Sequence, residues 1–202
     1  GASYLRSYVA TYLERDVRAL SNVGSLRDFE RFLRACALRS AQLLNKAELA
    51  RDVGISPPTA AQWLSVLEAS GQIFLLEPWF SNRTRSLVKT PKLYLTDSGL
   101  LCHLLGITSG DELAGSPLLG AVWETFVCSE LRRTLKNNGR TGDLYFWRDR
   151  GTEVDFLVHR AGRFQLFECK WTEHPGPREA KSLHTVASLL ASGTVARKCV
   201  IC

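Results

Sequence analysis

The stretch GTEVDFLVHRAGRFQLFECKW, residues 151–171, constrains the chain most, because it sets three acidic residues and a lysine inside two runs that otherwise read as buried strand. Successive side chains on a strand point to opposite faces. In residues 153–158, Val154, Phe156 and Val158 therefore share one face and Asp155 takes the other. In residues 164–171, Gln165, Phe167 and Cys169 point one way and Leu166, Glu168 and Lys170 the other. The polar link His159-Arg160-Ala161-Gly162-Arg163 carries one glycine and reads as a hairpin turn with a longer loop. The two strands are expected as neighbours, with Asp155 close to Glu168 and Lys170.

A helix expected over residues 121–135 adds a fourth charged group. At about 100° per residue, Glu124 projects beside Val127, Cys128, Leu131 and Leu135, so this carboxylate belongs to the apolar stripe that faces the sheet. If the helix packs across the hairpin, Glu124, Asp155, Glu168 and Lys170 converge. Three carboxylates in low dielectric repel one another and take up protons unless a cation neutralises them, and an all-oxygen site suits Mg²⁺ or Mn²⁺. Asp155 and Glu168 would hold the metal and Glu124 would complete the site through a water. Lys170 would stabilise charge on a pentavalent phosphorane or help activate the attacking water. The plainer alternative is a cross-strand Glu168–Lys170 ion pair at a sheet margin, a contact worth little, with Asp155 merely ending its strand. The joint spacing and the inward Glu124 favour the metal-capable reading.

Upstream, Asn45 with Glu48 three residues on forms a capping-box pattern that starts a helix ending at Gly54. Ser56 then caps a second helix with Pro57 in its first turn, and Ala60, Leu64 and Leu67 form its buried stripe. Strands follow at residues 73–80 and 92–95, separated by the polar, basic segment 81–90. That order is helix-turn-helix plus wing. The outward residues of the second helix, Thr59, Ala61, Gln62, Ser65 and Glu68, include no lysine or arginine to hold phosphate or read guanine. The basic residues gather in the wing at Arg83, Arg85, Lys89 and Lys92, which points to weak, non-specific DNA contact. Helical periodicity also marks residues 4–20, with tyrosines at 4, 8 and 12 as a packing stripe, and residues 26–38, whose Arg27, Arg31, Arg34 and Arg39 form a basic face. Trp63 is expected in the core, and Trp171 is open to either packing or base stacking.

Residues 106–120, with four glycines and a proline, have linker composition. Beyond them the order reads α-β-β-β-α-β, giving an α+β chain with a helical, winged-helix region at 1–105 and an α/β domain at 106–202. The net charge of +6 permits a polyanionic partner without requiring one. With no apolar run of bilayer length and no signal peptide, a soluble, cytoplasmic protein without membrane partners is expected. The six cysteines lie scattered in apolar stretches and read as free thiols, and the four histidines show no ligand spacing. The chain contains no methionine, which points to a piece of a longer protein.

Val154-Asp155, a gap of twelve residues and Glu168-Cys169-Lys170 resemble the PD-(D/E)xK signature of restriction-endonuclease-like nucleases, with valine where the signature has proline. The resemblance extends through Tyr12-Leu-Glu-Arg-Asp16, the helix pair at 45–71, Lys89-Thr-Pro-Lys-Leu-Tyr94 with Asp97-Ser-Gly-Leu100, Trp123-Glu-Thr-Phe-Val127 and the run from Phe146 to Asp155. Together these are similar to the C-terminal region of predicted prokaryotic AAA+-type ATPases. There, a domain of unknown function, built from a winged helix and a nuclease-like fold, follows an N-terminal ATPase domain. The resemblance implies an α+β fold with a restriction-endonuclease-like second domain and an ATPase domain of the same protein as partner. It also leaves open a non-catalytic module that keeps the nuclease fold to bind DNA or a protein. This chain has no G-x-x-x-x-G-K-[ST] loop and hence no ATP site of its own.

Overall fold

The computed structural model describes residues 7–8, 11, 25–79, 90–139, 144–149 and 151–202, which form an α+β chain with a helical N-terminal region and a C-terminal sheet. Two compact units emerge. One joins Gly1–Leu75 with Leu93–Val122 and the other joins Leu76–Lys92 with Trp123–Cys202. Of the tyrosine stripe only Tyr8 is described, its hydroxyl accepting from Gln72 Nε2 at 2.9 Å. The rest of the stripe and the wing residues Arg83, Arg85 and Lys89 lie outside the described residues.

In the first unit, helix ends follow their capping residues. Ser25 caps α1 (Leu26–Leu38) by accepting from the Asp28 amide, and Phe29, Phe32 and Leu33 supply its buried stripe. After the two-residue β1 (Gln42–Leu43), the Asn45 side chain accepts from the Glu48 amide at 3.1 Å and opens α2 (Lys46–Val53). The Glu48 carboxylate lies 3.7 Å from Arg39, which also pairs with Asp52, so one arginine of the expected basic face is tied to α2. Gly54 closes α2 at φ +82°, a left-handed conformation that glycine adopts without steric cost. Ser56 and Pro57 start α3 (Pro57–Ala69). Trp63 of α3 meets Phe29 and Phe32 edge-on, at 5.2 and 5.3 Å between centroids, and is buried as expected. Each such ring contact contributes about 0.5–1.5 kcal/mol beyond its buried area. β2 (Ile73–Leu76) and β3 (Lys92–Leu95) complete a three-stranded sheet in which β3 is central. Asp97 caps α4 (Ser98–Leu104). The glycine-rich stretch read as a linker is partly helical, because Ser109 caps α5 (Gly110–Ala114) by accepting from the Glu112 amide.

The second unit carries most of α6 (Leu119–Asn137) and a four-stranded sheet in the order β4 (Leu144–Asp149), β5 (Thr152–Arg160), β6 (Arg163–Cys169) and β7 (Val195–Ile201). β4–β5 and β5–β6 are antiparallel, and β6–β7 is parallel. A parallel pair needs a crossover, and α7 (Lys181–Leu189) supplies it. Its Leu183 and Val186 pack with Val154, Leu157 and Leu166. The hairpin is tighter than its polar composition implies. Arg160 pairs with Arg163, leaving only Ala161-Gly162 in the turn, both at positive φ (46° and 73°). This is the backbone geometry of a two-residue hairpin turn, in which asparagine or glycine is the usual choice.

One irregularity alters the strand reading. On β4–β5, Tyr145 pairs with Leu157 and Trp147 with Val154, so Phe146 alone stands opposite both Asp155 and Phe156. This is a β-bulge, with the extra residue on β5. It breaks the strict alternation: Val154 joins Leu157 in one apolar cluster, although the two differ in parity and alternation would separate them. Asp155 thus sits where the phase of the strand is reset.

Candidate active site

The three acidic residues expected at the site, Glu124, Asp155 and Glu168, lie in the second unit. From Arg160↔Arg163 to Phe156↔Phe167 the β5–β6 register runs without a shift, and it ends one residue short of Asp155 on β5 and of Glu168 on β6. Asp155 is anchored there by its backbone neighbour across the ladder, its Oδ2 accepting from the Cys169 amide at 2.8 Å. Glu168 accepts from Ser182 Oγ of α7 at 3.0 Å and lies 2.8 Å from the Lys170 ammonium. Ser182 carries no sequence signal beyond its place in an amphipathic helix. The Lys170 amide donates to the Ile201 carbonyl, so β7 holds the backbone at this end of β6.

Glu124 reaches the same region from α6, but its partner is a residue that sequence placed elsewhere. Lys92, read as a wing residue that touches phosphate, is only 3% exposed. Its Nζ lies 3.0 Å from Glu124, 2.5 Å from Glu153 and 3.9 Å from Asp155. The correction has a simple cause. All four residues of β3 are buried, and a lysine in such a strand needs carboxylates around it. The Phe146 ring, 5.6 Å from Nζ, adds a cation–π contact. Glu153, whose side chain sequence left without a role, also pairs with Arg148 at 3.4 Å. The cation demanded by clustered carboxylates is therefore present in part as a lysine.

Ionisation follows from this geometry. Burial alone would lower the Lys92 ammonium, but the charges of Glu124, Glu153 and Asp155 outweigh it and hold the proton more tightly than in an ordinary lysine. Burial pushes the Asp155 carboxyl up, against the pull of Lys92, the Cys169 amide and Lys170. Burial, then the neighbouring Asp155 charge, push Glu168 up as well. At Lys170 burial is again the largest influence, and it is overcome by the bond to Glu168 and the charges of Glu168, Asp155 and Glu124. Among the described residues, no group of three or more His, Cys, Asp and Glu side chains is arranged to hold a metal ion.

Glu168 and Lys170 open onto a cleft of about 410 Å³ that is also lined by Glu153, Arg178, Lys181 and Ser182. Arg178 and Lys181 are exposed. The arrangement couples the buried Glu168 carboxylate and the Lys170 ammonium to an accessible volume edged by charges of both signs, Arg178 and Lys181 with Glu179. Among the described residues no helix is long and apolar enough to cross a membrane.

Two family matches divide the chain. Residues 2–111 match a domain of unknown function, DUF8612, and residues 119–202 match a second, DUF4143. The chain is similar to an uncharacterized protein of Mycobacterium tuberculosis and to one of Mycobacterium bovis. Each is 36% identical over 175 residues, which is 86% of this chain and 39% of the relative. The chain therefore spans about two fifths of the length of these curated relatives.

Proposed function

The chain belongs to the DUF8612 family, and on that premise we propose that it is the C-terminal, DNA-interacting module of an AAA+-type ATPase, with a site built to hydrolyse phosphodiesters. DUF4143 is typically C-terminal to AAA ATPases, which supports the placement. The observation that carries the chemistry is the pairing of Glu168 with Lys170 in the wall of an open cleft, just beyond the last β5–β6 pair, where the buried Asp155 accepts from the amide of Cys169 between them. The spacing of these three residues matches the PD-(D/E)xK signature. In the other unit, the α2–α3 pair followed by β2 and β3 serves as a winged helix that meets the DNA backbone weakly and without sequence preference.

Asp155 and Glu168 offer oxygen donors only, and both are buried carboxylates with raised proton affinity, a donor set that fits Mg²⁺ or Mn²⁺. Such an ion, when bound, would act as a Lewis acid on the scissile phosphate and lower the pKa of its bound water. The residues of the chain supply the rest. The Cys169 amide fixes the Asp155 carboxylate, and Ser182 orients Glu168 from α7. The Lys170 ammonium, held beside Glu168, meets negative charge that grows on the phosphoryl oxygens only as phosphorus is attacked, so it lowers the barrier more than it tightens binding. Glu124 is engaged by Lys92 and acts as its anchor.

The test is cleavage of plasmid and branched DNA with Mg²⁺ or Mn²⁺ by the parent chain, Asp155→Asn and Lys170→Ala. Cleavage by the parent alone is the expected result. A second reading, a non-catalytic module that keeps this fold to bind DNA or a protein, is favoured by one observation: Lys92 already neutralises carboxylates that a metal would otherwise claim. A parent chain that cleaves neither substrate with either ion, while still binding DNA, would establish it.

A further inference from the structure

Lys92 is a single positive charge set among three carboxylates. Its ammonium lies 3.0 Å from Glu124 of α6, 2.5 Å from Glu153 of β5 and 3.9 Å from Asp155 of the same strand, and all four residues belong to the second unit. At 3% exposure the lysine is nearly stripped of water, so these oxygens stand in for its hydration shell. An anionic, all-oxygen shell is also what a hard divalent cation takes. The contacts are unequal. Glu124 and Glu153 are within hydrogen-bonding reach, whereas 3.9 Å exceeds it, so the lysine leaves the lone pairs of Asp155 Oδ1 uncommitted. The other oxygen, Oδ2, takes the Cys169 amide. Asp155 is thus shared, its charge acting on Lys92 from one direction and on Glu168 from another. Glu153 is shared too, because it lines the cleft onto which Glu168 and Lys170 open.

We propose that Lys92 holds the second of two adjoining cation positions, so that the site accepts one divalent ion, at Asp155 and Glu168, where the same chain without this lysine would accept two. The inference deepens the metal-dependent reading of Asp155 and Glu168 and rests on it. In two-ion phosphodiester sites the ions lie about 3.5–4 Å apart and stabilise the attacking and leaving oxygens together. Here one of the two positive charges is tethered to the backbone of β3. It cannot be diluted away, and it has no coordination position to offer water or phosphate. Lys92 therefore determines how many cations the site takes, and it touches no substrate. A lysine with a purely structural role differs in its consequence: its loss would leave an unpaired acidic cluster and no new affinity for an ion.

The test counts Mn²⁺ ions bound per chain, from the electron paramagnetic resonance of the free ion, for the full 202-residue protein and for Lys92→Met. At neutral pH the variant should bind one ion more than the parent. Adding Glu124→Gln and Glu153→Gln to Lys92→Met should remove that extra ion, because two of its three carboxylates are gone. Thermal melting covers a variant too unstable to titrate. Saturating Mn²⁺ should raise the melting temperature of Lys92→Met by more than it raises that of the parent, and should refold the variant if it is unfolded without the ion. Equal counts in parent and variant, two ions on the parent, an extra ion that survives the loss of Glu124 and Glu153, or a variant that Mn²⁺ neither binds nor stabilises would each overturn the proposal. The nuclease reading is decided separately: it falls if the parent cleaves neither DNA substrate, whereas a gain of one ion upholds the role of Lys92 whether or not the parent cleaves DNA.

Discussion

Replacing Lys92 by methionine removes the ammonium while nearly keeping the length of its stem, so packing against Phe146 survives and the electrostatic consequence is isolated. The lysine is 3% exposed, and its partners Glu124, Asp155 and Glu153 are 16%, 11% and 32% exposed. These exposures place the cluster among buried ion pairs. Deleting one member of such a pair costs about 3–5 kcal/mol, because a charge is left buried without compensation. For a chain of this size each kcal/mol moves the melting temperature by about 2–4 °C, so Lys92→Met should melt roughly 6–20 °C below the parent in a calorimetric or circular-dichroism scan. Glu153 can turn to Arg148, which favours the lower half of that range. Adding Glu124→Gln to Lys92→Met should return roughly 0.5–3 kcal/mol, the usual coupling between contacting residues. The alkaline limb gives an independent reading. The folded-state pKa of Lys92 lies above the ordinary 10.5, so its contribution is complete below that value and is lost as the pH rises through the higher one. The gap between parent and variant should therefore close only in strongly alkaline solution. A loss below about 1 kcal/mol, the value of an exposed pair, would show that the cluster is solvated and that this reasoning is wrong.

Raised folded-state pKa values of Asp155 and Glu168 mean that the native chain holds those protons more tightly than the unfolded one, so the pair stabilises at low pH and that stability is lost as the pH rises through the folded values. A divalent cation would relieve the cost of the charged pair, so stabilisation by Mn²⁺ should grow from acidic to neutral pH and disappear in Asp155→Asn, as followed by thermal melting. Ala161 occupies φ +46° in an exposed two-residue turn, a strain of about 1–2 kcal/mol for a residue with a Cβ; Ala161→Asn or Ala161→Gly should raise stability by roughly 0.5–1 kcal/mol in urea titration, and a decrease would contradict the turn geometry. Burial pushes the Cys36, Cys128 and Cys169 thiols up, so a disulfide reagent should modify the exposed Cys202 at once and these three only on unfolding; fast modification of Cys169 in the native chain would count against the packing at the end of β6.

Local chemistry made much of this architecture legible. Asn45, Ser56 and Pro57 mark helix starts because their effect is confined to the first turn, and α2 and α3 begin where those residues place them. The antiparallel β5–β6 pair follows from the two alternating runs on either side of a polar link. Three features were beyond such reasoning. The bulge at Asp155 depends on how β4 pairs with β5, and no residue in either strand announces it. Ala161 in a left-handed turn runs against local preference, so its hairpin read as longer than it is. Lys92 reads as a phosphate contact because of its basic neighbours. The signal against that assignment was its position at the head of the run Lys-Leu-Tyr-Leu, where a central strand offers a charge no water. A lysine there implies acidic partners distant in sequence, and Glu124 stands 32 residues away.

The bond from the Cys169 amide to Asp155 Oδ2 gives the site a spectroscopic reporter. An amide proton donated to a carboxylate exchanges with solvent only when that bond opens, and its nitrogen shift follows the charge on the acceptor. Protonation of Asp155, its replacement, or an ion drawn to its other oxygen would each alter this single resonance. Since Cys169 lies on the strand between β5 and β7, whose other amides exchange through wider opening of the sheet, the Cys169 signal separates what happens at the carboxylate from what happens to the fold.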